Sequence, residues 1–409
     1  MSYDLNEGAK RVVNDLKELA KLTSDEKGAQ RVAWTPIWQK ANDWFTKKVE
    51  SFGASVTIDK AGNIWAKIEG DSEESIVIGS HLDSVPNGGW LDGALGVVSG
   101  IEILRRYSKE KPAKTIYVVS WADEEGARFG SSVMGSSAAT GAFDVEGIIN
   151  RVDNDGIKVQ DALKAYNVDI NEMLQAKDEL KDKKMIKYLE LHIEQGPILE
   201  EMKKEVACVY GVQGIERHSI EFTGQAAHAG SFPTLMRQDA FLAAAKSALS
   251  FREIALKYDA VCTVGRVGVE PNVPTIVPGK CTISLDQRSI NPDDLIAMNK
   301  EAREITKKVA KEFDVEVNWS KIYTIEPTLF NEDLTKTCQE AVQDETGEPT
   351  TIYSGPLHDA VEMAKLVPTV MMFTMSKAGL SHCKEEDSDE EAIETATKAF
   401  IRLVAKVIK

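Results

Sequence analysis

A surplus of positive charge is the first thing this 409-residue chain lacks: 49 Lys and Arg face 65 Asp and Glu, a formal net charge of −16. Polyphosphate binding needs a cationic footprint, so this balance argues against nucleic acid as a partner. Long apolar runs are also missing. None reaches the roughly 18–20 residues of a membrane span, and the start, MSYDLNEGAKRV, has no apolar core of the kind a secretion signal needs. Cysteine is scarce and scattered: Cys208, Cys262, Cys281, Cys338 and Cys383 are odd in number and form no Cys-x-x-Cys. That points to a reducing, cytoplasmic setting rather than a disulfide framework. No internal repeat or low-complexity linker occurs. Hydrophobic residues at 43% and charged residues at 28% are those of a soluble globular protein, which excludes disorder as the main state. The length sets an expectation of two or three domains. Histidine is rare, at six residues, so the place of each one is informative.

The pattern along the chain predicts helices over about Leu5–Leu22 and from Pro36 to near Gly53, then short strands over 55–59 and 63–68. Three near-continuous apolar runs, Ile76–Ile78, Thr115–Val119 and Val367–Phe373, read as central parallel strands of a doubly wound α/β sheet. The middle differs. Strands over Gly214–Thr223, Val261–Val269, Lys280–Ser289 and Glu316–Thr324, with helices over Met236–Tyr258 and Pro292–Phe313, give the β-α-β-β-α-β order of a ferredoxin-like α+β domain. The simplest organisation is therefore a discontinuous α/β domain, residues 1–210 and 328–409, interrupted by a small domain of residues 211–327. The acidic run Lys384–Glu391 reads as a solvated helix start.

Several rare histidines sit beside strand ends, next to carboxylates. Gly79-Ser80-His81-Leu82-Asp83 follows the first apolar run, with Asp92 nine residues beyond Asp83. In an open α/β sheet, sites form beyond the carboxyl ends of the strands, and a carboxylate two residues from a ligand imidazole is placed to orient its ring. Asp123-Glu124-Glu125 follows the second run. Three adjacent acids at the end of a buried strand repel one another and raise each other's pKa, a penalty that a bound cation removes. Glu190-Leu191-His192-Ile193-Glu194 alternates its polar residues onto one strand face, and Gly379-Leu380-Ser381-His382 follows the last run. Each stretch is weak by itself. Together they hold the ligand stock of a hydrolytic site with two metals about 3.5–4 Å apart. Mixed N/O ligation suits zinc, with manganese, cobalt and nickel remaining open.

The strings GSHLDSVPNGGWLDGALGV, WADEEGARFGSSVMGSSAATG, ELHIEQGPILE, GQAAHAGSFP, GVEPNVPTIVPGKCTISLDQRS and GLSH resemble the hydantoinase/carbamoylase amidases of the dinuclear metallopeptidase superfamily, over almost the whole chain and in the family's motif order. The resemblance implies a mixed doubly wound catalytic domain with an inserted lid and dimerisation domain, two divalent metal ions and a homodimer. It implies that His81, Asp92 and His192 bind one metal, that Asp92 bridges to a second, and that Glu125 and His382 complete it. Glu124 is implied as general base and Asp83 as the residue that clamps His81. His228 is implied to stabilise the oxyanion, Asn272 and Arg288 to hold a substrate carboxylate, and Gln195 and Arg217 to contact substrate. A planar guanidinium fork suits a carboxylate.

The activity implied is hydrolysis of an N-carbamoyl amino acid, a small anionic ureido compound, to amino acid, CO2 and ammonia. β-Ureidopropionase, allantoate amidohydrolase, and aminoacylase or dipeptidase activity on the same scaffold stand as alternatives. Pro356-Leu357 departs from the family's Ala-Gly, Ser231–Leu235 and Cys383-Lys384 depart from its commoner residues, and His218 is expected to be an ordinary surface residue. A nucleotide site at Gly93, Gly96 and Gly100 has the wrong glycine order, and Asp92 would face a phosphate with the wrong charge.

Overall fold

The computed structural model describes residues 3–409. The chain separates into two compact units, one running up to Tyr210 and resuming over Phe330–Lys409, the other Gly211–Leu329. The return falls two residues later than the pattern suggests, because Thr328 and Leu329 still pair with Val212 and Gly211.

In the larger unit, α1 (Leu5–Thr23) begins where Asp4 accepts the N–H groups of Asn6 and Glu7. Helix α2 (Pro36–Glu50) begins where Thr35 accepts from Trp38 N–H, with proline at a first-turn position where no donor is needed. Strands β1 (Ser55–Ile58), β2 (Ile64–Ile68) and β3 (Ser72–His81) follow, then α3 (Ala94–Tyr107), β4 (Lys114–Trp121), α4 (Met134–Thr140), β5 (Met185–Ile193) and β6 (Val206–Val212).

The smaller unit comprises β7 (Gly214–Thr223), α5 (Ala240–Lys257), β8 (Val261–Thr263), β9 (Val267–Glu270), β10 (Lys280–Ser289), α6 (Pro292–Glu312) and β11 (Glu316–Ile325). Its sheet runs β8–β10–β7–β11, with β9 also on β10. The expected single strand over Val261–Val269 is thus two strands, and α5 starts at Ala240 rather than Met236 because Asp239 caps it, accepting from Phe241 and Leu242 N–H. Strict alternation along β10 turns Cys281, Ile283 and Leu285 into a core with Phe251, Met298 and Ala302, and leaves Ser284, Asp286 and Arg288 on the opposite face. His218 is a correction. It is 2% exposed, on the helix-covered face of β7, with its ring 5.3 Å from that of Trp319.

The chain then forms α7 (Glu332–Thr346), β12 (Thr351–Ser354), α8 (Asp359–Ala364), β13 (Thr369–Thr374) and α9 (Glu390–Val407). The large sheet is mixed, in the order β6–β13–β5–β3–β4–β2–β1 with β12 on β6. Strands β13, β5, β3 and β4 run parallel, whereas β6 and β2 flank them antiparallel. The three apolar runs are β3, β4 and β13, all central, where burial on both faces selects unbroken apolar sequence. The core beneath combines Val97, Ile101 and Leu104 of α3 with Leu16 of α1 and Phe400 and Val404 of α9. No described helix is long and apolar enough to cross a membrane, and all five cysteines are unpaired thiols.

Candidate metal centre

Four parallel strands aim their carboxyl ends at one place. His81 ends β3, Asp123-Glu124-Glu125 follows β4, His192 lies one residue before the end of β5, and His382 lies in the segment after β13. Asp92 comes from the turn into α3. There Gly93 has φ 65°, and a Cβ at this position would stand 2.4–2.5 Å from three atoms of the His81 ring. Glycine is the residue that lets the turn pass beneath the imidazole.

The side chains form two groups of three that share Asp92. His81, Asp92 and His192 offer ligand atoms within 4.8 Å of one another, and so do Asp92, Glu125 and His382. Asp92 Oδ1 is 3.6 Å from His81 Nε2 and 3.1 Å from His192 Nε2, and Asp92 Oδ2 is 3.3 Å from His382 Nε2. Glu125 Oε2 lies 3.4 Å from the same His382 nitrogen. Neighbouring carbonyls set both buried tautomers: His81 Nδ1 donates to Asp83 O at 3.1 Å and His192 Nδ1 to Ile193 O at 2.9 Å, leaving each Nε2 lone pair directed at the cluster. Imidazole nitrogens and carboxylate oxygens in two triads around one shared carboxylate fit a pair of divalent cations.

Asp83 meets His81 through both backbone and side chain and also reaches the next strand's acids. Its backbone carbonyl holds His81, while its carboxylate, 3.6 Å from Nδ1, accepts the N–H groups of Glu124 at 3.3 Å and Glu125 at 3.1 Å. Asp83 therefore fixes the two glutamates to the His81 turn. Asp123 turns away, accepting from Trp34 Nε1 and Gly126 N–H, and burial followed by the Asp83 charge pushes it up to about 8. Glu124 is buried with Oε2 3.7 Å from His81 Nε2; burial pushes its pKa well up, opposed by His81 and reinforced by Asp359 and Glu125. Burial, then Asp92, pushes Glu125 up to about 7. Burial alone would lower His81, but Glu124, Asp83 and Asp92 raise it well above an ordinary imidazole. These opposed shifts are those of acids crowded without a cation.

Gln195, at φ 57°, donates from Nε2 to Asp92 Oδ2 at 2.8 Å and to Ser381 Oγ at 3.1 Å. Glu194 takes no part; it caps the next helix, accepting from Ile198 and Leu199 N–H. His358 is buried, 4.5 Å ring to ring from His192, and burial lowers its pKa well below the ordinary value.

In the smaller unit, His228 is exposed and its Nδ1 accepts from the N–H groups of Gly230 and Ser231, both at 3.1 Å. A neutral ring so held carries its proton on Nε2 and presents a donor. Asn272 is exposed at φ 52°. Arg288 Nε donates to Asp286 Oδ1 at 2.9 Å, and Arg217, directly across the sheet, donates to Asp286 Oδ2. The two guanidinium groups thus share one carboxylate, with Arg217 also 4.6 Å from the Tyr323 ring.

Two residues near the cluster carry no role in the sequence reading. Arg31 is fully buried, donates from Nε to Leu82 O at 2.7 Å and lies in the field of Glu386, Asp92, Asp83 and Glu125. No sequence pattern marks it. Glu386 sits inside the acidic run read as solvated, yet is 1% exposed; α9 begins only at Glu390. A carboxylate four residues after His382 was the available signal.

Residues 77–406 match the profile of Peptidase family M20/M25/M40. The chain is 31% identical to an N-carbamoyl-L-amino-acid amidohydrolase of Paenarthrobacter aurescens, covering 97% of both chains. It is 30% identical to allantoate deiminase 1 of Glycine max, over 94% of this chain and 87% of the relative. A crystal structure of a hydantoinase/carbamoylase family amidase from Burkholderia multivorans superposes with a TM-score of 0.86 at 31% identity, covering 98% of each chain. The protein therefore belongs to Peptidase family M20/M25/M40, on its hydantoinase/carbamoylase amidase branch.

Proposed function

We propose that the protein is a metal-dependent amidohydrolase that cleaves the C–N bond of an N-carbamoyl-L-amino acid to amino acid, CO2 and ammonia. The observation that carries this reading is the pair of three-residue groups sharing Asp92, with Glu124 beside them. His81, Asp92 and His192 would hold one divalent ion, and Asp92, Glu125 and His382 a second, zinc by ligand type. Bound ions would supply Lewis-acid polarisation of the ureido carbonyl and make a water more acidic.

Glu124 is the general base: it takes a proton from the attacking water and returns it to the departing nitrogen. A carboxylate held in place beside the cluster can take up a proton and give it back without leaving its position. His228 presents Nε2–H to the oxygen that gains negative charge, a donor whose tautomer is set before substrate arrives. Arg288 with Asn272 holds the α-carboxylate, while Arg217 and Gln195 are further contacts. The closeness to a curated N-carbamoyl-L-amino-acid amidohydrolase supports the ureido substrate, and the plant allantoate deiminase keeps a second ureido compound in view.

The smaller unit has the strand order of a ferredoxin-like domain and serves as lid and dimerisation domain. Leu242, Leu249 and Leu256, seven residues apart on one face of α5 and 44%, 73% and 61% exposed, support a second copy of the chain as partner. The odd, unpaired cysteines support a cytoplasmic site of action.

The test is turnover by zinc-, manganese- or cobalt-loaded protein, read as ammonia release from N-carbamoyl-L-amino acids, N-carbamoyl-β-alanine and allantoate and as free amino acid released from N-acetyl amino acids and dipeptides. Turnover of N-carbamoyl-L-amino acids above the rest is expected. Turnover confined to allantoate, or to acetyl and peptide substrates, overturns the proposal.

A further inference from the structure

Glu386 is buried to 1% exposure, and every contact made by its carboxylate is one in which it accepts. Oε1 takes the N–H groups of Leu91 at 3.1 Å and Asp92 at 2.9 Å, and Oε2 takes the Ser381 hydroxyl at 2.6 Å. Gly89 makes the room, since a Cβ there would fall 2.0 Å from the Glu386 carboxyl. Ser381 Oγ also lies 3.2 Å from Asp92 Oδ2, and Gln195 Nε2 donates to both atoms. The hydroxyl has one proton and two acceptors in reach, and the shorter contact to Glu386 takes it.

We propose that Glu386 is a positioning residue for the metal pair: it ties the turn carrying Asp92 to the segment carrying His382, and it draws the Ser381 proton away from Asp92 so that Oδ2, which already accepts from Gln195, keeps its second lone pair for a ligand bond. The inference rests on the proposed metal centre and adds to it a residue that touches neither metal nor substrate. Carboxylates that orient first ligands in this way set metal affinity without binding the ion.

The experiment is zinc titration of the full chain against a chromophoric chelator, with the visible absorption of the cobalt-loaded protein and the melting temperature of the metal-free protein as further readouts. The variants are Glu386→Gln, Ser381→Ala and the double variant. Glu386→Gln keeps an acceptor for both backbone N–H groups, but its amide donates to Ser381 and turns the hydroxyl proton onto Asp92. It is expected to weaken the second equivalent of zinc about 10–100-fold and to change the cobalt spectrum. Removing the hydroxyl in the double variant is expected to recover most of the loss, and Ser381→Ala alone is expected to bind both equivalents as the unmodified chain does.

Unchanged affinity and spectrum in Glu386→Gln would overturn the role of Glu386, as would a double variant as weak as Glu386→Gln. If Glu386→Gln fails to fold, a large loss of zinc in Ser381→Ala overturns the proton-steering role by itself. An unmodified chain that takes up no divalent ion instead overturns the metal-centre reading.

Discussion

Gly93→Ala is the sharpest probe of how the turn into α3 shapes the metal centre. The backbone there is left-handed, at φ 65°, and the added Cβ would stand 2.4 Å from His81 Cε1 and 2.5 Å from both ring nitrogens. The left-handed conformation costs an alanine about 1–2 kcal/mol, a loss of roughly 2–8 °C in melting temperature for a domain of this size. The contact costs more to function than to folding. Ordinary van der Waals separation requires the imidazole to move by about 1 Å, and the ring is held at Nδ1 by Asp83 O, so the shift carries Nε2 off Asp92 and Glu124. A displacement of that size costs on the order of 100-fold where geometry is exacting. Chelator competition should therefore show one zinc equivalent weakened by about 10–100-fold while the other remains, and calorimetry should show the modest loss of melting temperature. Two equivalents of unchanged affinity in a folded Gly93→Ala protein would refute the argument that this glycine makes room for the ligand ring.

Glu124→Gln removes a base and leaves all five proposed ligands. Turnover should fall about 100- to 10,000-fold with metal content retained by elemental analysis; near-normal kcat would contradict the assignment. In the metal-free protein Glu125 is pushed from 4.5 up to about 7 and His382 from 6.5 up to about 9. Both folded values lie above the unfolded ones, so each group's stabilisation is complete below its unfolded pKa and lost as pH rises through its folded pKa. The metal-free protein should accordingly lose melting temperature between about pH 5 and pH 9, and the gap to the metal-loaded protein should widen, since bound metal favours the deprotonated ligands. A gap that narrows over that range would count against crowded ligands as the cause. Leu249→Glu places a charge amid the exposed leucines of α5; sedimentation should show a shift from dimer to monomer without unfolding, and an unchanged dimer would exclude that face.

The sequence determined the elements whose burial is two-sided or strictly alternating. The runs that became β3, β4 and β13 are almost entirely apolar because both faces are covered, and β10 alternates because only one is. The polar residues beyond two of those strands were legible for the same reason: His81, Glu124 and Glu125 stand where the apolar pattern stops. His192 was marked by alternation along its own strand and His382 by its place after the last run, and a family resemblance implied the roles of all five. Asp92 stood out as a carboxylate nine residues beyond the His81–Asp83 pair, whereas the two arginines of the sheet face were singled out through that resemblance alone. Local pattern failed where a side chain's surroundings come from distant segments. His218 on its strand looks like any polar residue, and only the packing of α6 and β11 encloses it. Glu386 is one acid among several in its run, and only the turn at Gly89–Asp92, nearly three hundred residues away in sequence, buries it and gives it donors. Arg31 is likewise an unmarked cation until the carbonyl of Leu82 closes over it. Period and composition report which face of an element is covered. Which charge meets which hydrogen bond depends on chain crossings that no local window contains, so the candidate ligands could be picked out from the sequence and the buried charges packed around them could not.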